Sequence, residues 1–143
     1  MVKKARVSLT SIIDNLSDTG IPSGDSERSE SSAVGAILSS VRGSVISFDE
    51  STEGGTVKTK IEILGSRVRV CRHGAIESDM LFSEGVAHRS VYSVPPYSFD
   101  ASIFTRKIRG SIEEDGKLEI FYDMEIGGAK KSVKMSLVCD VEQ

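Results

Sequence analysis

The sequence predicts an all-β protein, a small antiparallel meander barrel in which each strand is joined to the next by a short turn. Two patterns predict it: turn-forming residues recur roughly every ten residues between Gly54 and Pro96, and hydrophobic residues alternate with polar ones between the turns. Connections this short exclude parallel neighbours, because a parallel crossover needs about a dozen residues or more. A sheet of about 8–10 such strands is long enough to close on itself.

The turn signals are glycines and prolines, several of them in pairs, between strand-like stretches. They are Gly54-Gly55, Gly65, His73-Gly74, Glu84-Gly85, Pro95-Pro96, Asp115-Gly116 and Gly127-Gly128. The alternation is clearest after Gly116, where Leu118, Ile120 and Tyr122 alternate with mostly acidic neighbours. The same alternation of hydrophobic and polar residues recurs in residues 57–63, 68–71, 76–82 and 133–141. Each stretch predicts a strand with one buried and one exposed face.

The first third of the chain is less regular. Residues 4–13 alternate and predict a strand. Residues 15–32 are rich in Ser, Asp, Glu and Gly, which predicts a long flexible loop. Residues 33–41 fit either a strand or a short helix, and the hairpin that they would form with residues 44–49 favours the strand.

The composition is that of an ordinary globular protein. Its 143 residues suit one domain, so residues 4–142 predict a single barrel. The net charge of -3 gives no electrostatic footprint for nucleic acid. No stretch approaches the roughly 18 apolar residues of a membrane span, and the basic N-terminus lacks the apolar run of a signal peptide. We expect a cytoplasmic protein that binds neither nucleic acid nor membranes, and the oligomeric state stays open.

Five short segments, taken in order, resemble a known bacterial family. They are Ser47-Phe48-Asp49-Glu50-Ser51, Val70-Cys71-Arg72-His73-Gly74, Leu81-Phe82-Ser83-Glu84-Gly85, Tyr92-Ser93-Val94-Pro95-Pro96-Tyr97 and Gly116-Lys117-Leu118-Glu119-Ile120-Phe121-Tyr122. Their order resembles that of the YwiB-like family, small proteins of unknown function assigned to the calycin-like barrels. The resemblance implies a barrel related in shape to lipocalins. It implies no activity, and a fold alone would not license one.

Arg72 and Tyr122 are the first candidate ligand-binding residues. Strict alternation places Arg72 on the core face with Val68 and Val70, where an arginine needs an anionic or carbonyl partner. Tyr122 lies on the core face of its strand, and a buried hydroxyl also needs a partner. Together they would form a clamp for a carboxylate or phosphate. The alternative is that Arg72 reaches water beside Gly74 or pairs with a structural carboxylate.

His88 and Tyr92 are the second pair of candidates. They share a face with Val86 and Val94 and would add polar groups to the lumen. The alternative for His88 is a partly exposed side chain near a turn, since histidine often has intermediate burial.

No metal, cofactor or disulfide is expected. Cys71 and His73 point the same way from a strand, but two ligands do not make a zinc site. The alternation in its strand places Cys139 on the core face, as a buried residue, and Cys71 on the other face of the sheet. The basic residues between 67 and 109 indicate a solvated outer face.

These residues leave two hypotheses about function, because no familiar catalytic motif is present. In the first, the barrel binds a small amphipathic or anionic ligand in its mouth or lumen. In the second, the protein is a non-enzymatic interaction or structural module with a filled core. The volume of the lumen distinguishes them, because a ligand site needs a cavity of a few hundred cubic ångströms. An enzyme is the least favoured interpretation.

Overall fold

The structure, a computed structural model, describes residues 2–17 and 22–141. Its strands are β1 (Val2–Leu16), β2 (Pro22–Ser40), β3 (Gly43–Thr52), β4 (Gly55–Leu64), β5 (Arg67–Gly74), β6 (Glu77–Phe82), β7 (Ala87–Val94), β8 (Tyr97–Ser111), β9 (Lys117–Ile126) and β10 (Ala129–Val141). They follow one another in chain order around a closed barrel, and β1 pairs with β10 to close it. All the pairings are antiparallel, which confirms the predicted fold class.

The predicted turns between Gly54 and Gly128 all lie between consecutive strands or at their ends. The acidic turn before Gly116 is instead a single helical turn, α1 (Ile112–Asp115). It forms because Ser111 accepts a hydrogen bond from the backbone N–H of Glu114, at 3.3 Å, and Gly116 ends it with a φ of 70°. No helix in the described ranges is long and apolar enough to cross a membrane.

The flexible loop predicted for residues 15–32 is wrong for most of its length. β1 continues to Leu16, and β2 begins at Pro22 and pairs with β1 over the rest of that segment. Residues 18–21 lie outside the described residues. The polar composition that suggested a loop fits an edge instead, because β1 is the only described strand that pairs with β2 before Ala36.

Residues 33–41, for which strand and helix were both open, complete β2 as far as Ser40. Ile37 pairs with Ile46 of β3, and both side chains are buried in the core. The hairpin that favoured a strand is therefore present, and the strand interpretation is confirmed.

Side chains fill the middle of the barrel. Among the almost fully buried side chains are Ile46, Ile61, Phe82, Ile103 and Ile120, each from a different strand. A cavity among these core residues has a volume of about 10 Å³, roughly the space that one water molecule needs, and it is lined by Ile61, Val70, Leu118, Ile120, Met135 and Leu137. The middle of the lumen therefore has no room for a ligand.

The two ends of the barrel differ in their covering. One end, called the α1 end below, carries α1 and the turns at 41–42, 65–66 and 83–86. The opposite end carries the turns at 53–54, 75–76, 95–96 and 127–128.

Gly35 marks a close approach of β2 to β3, which gives a test of the packing. A Cβ at Gly35 would overlap the carbonyl oxygen of Ser47 and lie 2.9 Å from the Cβ of Phe48. We expect Gly35→Ala to lower the free energy of unfolding in urea by about 1–3 kcal/mol. The control is Gly54→Ala, because a Cβ there meets nothing closer than Ala75 at 3.6 Å. Equal stability of the two variants would contradict this packing.

Candidate functional site

A polar cluster lies inside the barrel toward the opposite end. Arg72 of β5 donates from Nε to Oε2 of Glu50 on β3, at 3.2 Å. Thr59 of β4, which pairs with Arg72, donates its hydroxyl to the same oxygen. The side chains of Arg72 and Glu50 are only 12% and 11% exposed. Arg72 thus points inward as predicted, and its partner is a carboxylate of the protein itself.

Tyr122 lies beside this cluster on β9. Its ring packs against Phe82 with the ring centroids 4.8 Å apart. Burial raises the pKa of Tyr122 to about 12, while the positive charge of Arg72 acts in the opposite direction and Tyr92 raises it further. Arg72, Tyr92 and Tyr122 are therefore close enough to interact electrostatically, and the phenol is neutral at physiological pH.

This geometry matches the alternative in which Arg72 pairs with a structural carboxylate. Nε of the guanidinium group is already occupied by the carboxylate of Glu50. The described residues that line the two large cavities of the protein include neither Arg72 nor Tyr122. Anchoring of a ligand by Arg72 and Tyr122 stays a prediction, and both side chains have structural contacts that account for their burial.

A cavity of about 890 Å³ opens at the α1 end, and we call it the α1-end cavity. Its floor includes the buried side chains of Ser44, Val68 and Leu118. Ile63 and Ile108, which are partly buried against the core, add apolar wall. This end of the barrel is therefore unfilled, unlike the middle, and its walls combine apolar and polar side chains.

The rim of the α1-end cavity carries two acidic and two basic side chains. Glu113 accepts a hydrogen bond from the hydroxyl of Ser44 at 3.3 Å, and Glu84 accepts one from the backbone N–H of Ile108 at 2.6 Å. Arg42 and Arg67 line the same cavity and make no ion pair with any described residue. The carboxylates are therefore engaged, and two guanidinium groups remain available.

His88 lies between this cavity and a second one. Its Nε2 is buried and has no hydrogen-bond partner among the described residues. Its side chain lines both cavities, and its contribution of a polar group to the lumen stays a prediction. Tyr92, the other candidate on β7, lies toward the opposite end and pairs with Ser78 of β6.

The second cavity, of about 1160 Å³, lies on the outer surface along a weak seam between β6 and β7. The two strands share only two residue pairs, Glu77–Ser93 and Ser78–Tyr92. Beyond them, Ser90 donates its hydroxyl to the carbonyl oxygen of Asp79, at 2.6 Å. Arg67 and His88 line both cavities, so the seam cavity and the α1-end cavity adjoin at these side chains.

Cys71 and His73 have separate contacts. Cys71 donates to Asp79 at 3.6 Å, and Nδ1 of His73 lies 2.9 Å from the carboxylate of Glu77. Within the described residues, no three His, Cys, Asp or Glu side chains converge as a metal site requires. Both cysteines are free, and Cys139 is buried in the core, which raises its pKa to about 11.

These features define a small, closed ten-stranded antiparallel barrel with an open cavity at one end. Residues 15–137 match the family described as Domain of unknown function (DUF1934), and the chain belongs to this family. Its similarity to YwiB of Bacillus subtilis confirms the resemblance to the YwiB-like family that the sequence motifs indicated.

Two comparisons involve YwiB. The uncharacterized β-barrel protein YwiB of Bacillus subtilis (strain 168) is 28% identical over 83 residues, or 57% of this chain. That alignment spans 58% of the length of YwiB. The crystal structure of the ywiB protein from Bacillus subtilis has a TM-score of 0.82 at 22% identity, covering 99% of this chain and 94% of that one. This likeness shows the fold alone.

The buried ion pair can be tested by a double-mutant cycle. We expect Arg72→Met to lower the free energy of unfolding by about 3–5 kcal/mol, because it leaves the charge of Glu50 buried without a cationic partner. Adding Glu50→Gln should recover a large part of that loss. The control is Arg69→Met on the same strand, whose exposed pair with Asp79 should cost at most about 1 kcal/mol. Equal costs for Arg72→Met and Arg69→Met would contradict the buried pair.

Tyr122 gives a second, spectroscopic test. Because its folded-state pKa of about 12 exceeds the ordinary value of 10.0, the unfolded chain binds fewer protons between these two values. Stability should therefore fall as the pH rises from about 10 to 12. One of the three tyrosines should ionise near pH 12 in an absorbance titration, and Tyr122→Phe should remove that step. Ionisation of all three tyrosines near pH 10 would contradict the burial.

Proposed function

We propose that the protein binds a small amphipathic anion in the α1-end cavity. The observation that carries this proposal is an unfilled cavity with both apolar and polar walls, whose rim holds Arg42 and Arg67 without carboxylate partners. Its volume of about 890 Å³ lies within the range of roughly 300–1,000 Å³ typical of small-molecule sites.

The lining indicates the chemistry of the ligand. Val68, Leu118 and Ile108 offer apolar contacts to a hydrocarbon or aromatic body inside the barrel mouth. Guanidinium groups bind carboxylates and phosphates through charge-assisted hydrogen bonds, which suits an anionic group at the rim near Arg42 and Arg67. His88 adds a buried ring nitrogen without a protein partner beside Arg67.

The second candidate function is a non-enzymatic interaction or structural module. The observation that favours it is the filled middle of the barrel, with a residual cavity of about 10 Å³. Under this alternative the α1-end cavity would be solvated surface, and it would not hold a small molecule with its apolar part inside.

Fluorescence of 1-anilinonaphthalene-8-sulfonate, an amphipathic anion, distinguishes the two candidates. The proposal predicts saturable binding that dodecanoate displaces and that the neutral dodecanol displaces less well. Arg67→Gln should weaken displacement by dodecanoate roughly ten-fold, the loss expected for one charged hydrogen bond. Arg6→Gln, the same change on the exposed face of β1, is the control. Binding that is absent, or unchanged in Arg67→Gln, would overturn the proposal.

A steric variant tests the location of the site independently of charge. Val86 lines the α1-end cavity and is 43% exposed, so Val86→Trp should obstruct the mouth without disturbing the core. Val94→Trp is the matched control, because Val94 is 42% exposed and ends β7 at the opposite end. We expect only Val86→Trp to lose dye binding. Equal binding by both variants would place the ligand elsewhere.

A further inference from the structure

The outer edge of β2 is the longest unpaired strand edge in the described part of the chain. From Pro22 to Gly35 this strand pairs only with β1, and pairing with β3 begins at Ala36. If that register were continued, Thr52, the last residue of β3, would lie opposite Ser31. Residues 22–30 therefore extend past β3. An open edge presents unpaired N–H and C=O groups that another strand can use.

The side chains along this edge carry opposite charges at close spacing. Arg28 and Glu30 are two residues apart on one face of the strand, and they are 65% and 62% exposed. Their charged groups lie 3.7 Å apart. Charged side chains often protect an exposed edge, but a pair of opposite charges can match the same pair on a second copy.

Symmetry restricts how two copies of this edge could pair. A two-fold axis perpendicular to an antiparallel sheet leaves each side chain on the same face of the sheet in both copies. Residues that pair across the axis must therefore belong to the same face, and the residue on the axis lies opposite its own copy. An axis at Glu27, Arg28 or Glu30 would place like charges opposite each other. An axis at Ser29 places Arg28 opposite Glu30 of the second copy, twice.

We propose that the protein forms a two-fold symmetric dimer by antiparallel pairing of β2 edges, with Ser29 on the axis. Residues 27–31 of the two copies would form the central ladder, and its backbone hydrogen bonds would join the two barrels into one continuous sheet. The two Arg28–Glu30 pairs would select this register, because directly opposed charges of opposite sign stabilise a strand pair. The dimer does not depend on the ligand site proposed above.

Sedimentation velocity over a concentration series tests the dimer, with the full chain and with charge-reversed variants. The wild-type protein should reach twice the monomer mass of 15.4 kDa. Arg28→Glu opposes Glu30 of the second copy and should raise the dissociation constant about ten-fold or more. The double variant Arg28→Glu/Glu30→Arg restores opposite charges and should return close to the wild-type value.

Control variants test whether a change in the dissociation constant comes from the β2 edge. Arg6→Glu makes the same charge change on β1 and should leave the dissociation constant unchanged. All the changed side chains are exposed, so circular dichroism should show the same fold for each variant. A wild-type protein that stays monomeric at several hundred micromolar would overturn the proposal. The proposal would also be overturned if Arg28→Glu did not weaken the dimer, or if the double variant did not restore it.

Discussion

Closure of the barrel by the β1–β10 ladder is the constraint on which the rest of the structure depends. The ladder runs without a break from Ala5–Val141 to Leu16–Lys130 and joins the two ends of the chain. Once the sheet is closed, every second residue of each strand must point into a lumen that cannot open toward water. Most inward polar groups therefore find partners inside or lie at one of the two mouths, whereas the buried hydroxyls of Ser78 and Thr105 have no hydrogen-bond partner among the described residues.

The two ends of the barrel meet this requirement differently. Toward the opposite end, Arg72, Glu50 and Thr59 satisfy one another, and Tyr122 stays neutral beside them. At the α1 end, Ser44 and His88 border an unfilled cavity. The α1 end thus has room for a ligand, whereas the polar side chains toward the opposite end are bonded to one another. This asymmetry is the reason for placing the proposed site at the α1 end.

Alternation predicted β1, β4, β5, β6, β9 and β10, the inward direction of Arg72 and the burial of Tyr122, because side-chain direction follows from local periodicity alone. Glu50 shares the face of Ile46 and Phe48, so the same alternation signals that it points inward. Its partnership with Arg72 could not be predicted, because it depends on the register of three strands. The polar segment 15–32 was misinterpreted because an exposed edge strand and a loop have similar compositions. The weak β6–β7 seam has no local sequence signal.

The most direct test of the account is a ¹H–¹⁵N NMR titration with dodecanoate, which reports on both ends of the barrel in one experiment. If dodecanoate binds in the α1-end cavity, the largest amide shifts will cluster at the α1 end, around Ser44, Arg67, His88 and Leu118. Shifts centred instead on Glu50, Arg72 and Tyr122 would show that the ligand enters the polar cluster, and would contradict the structural role assigned to that cluster here.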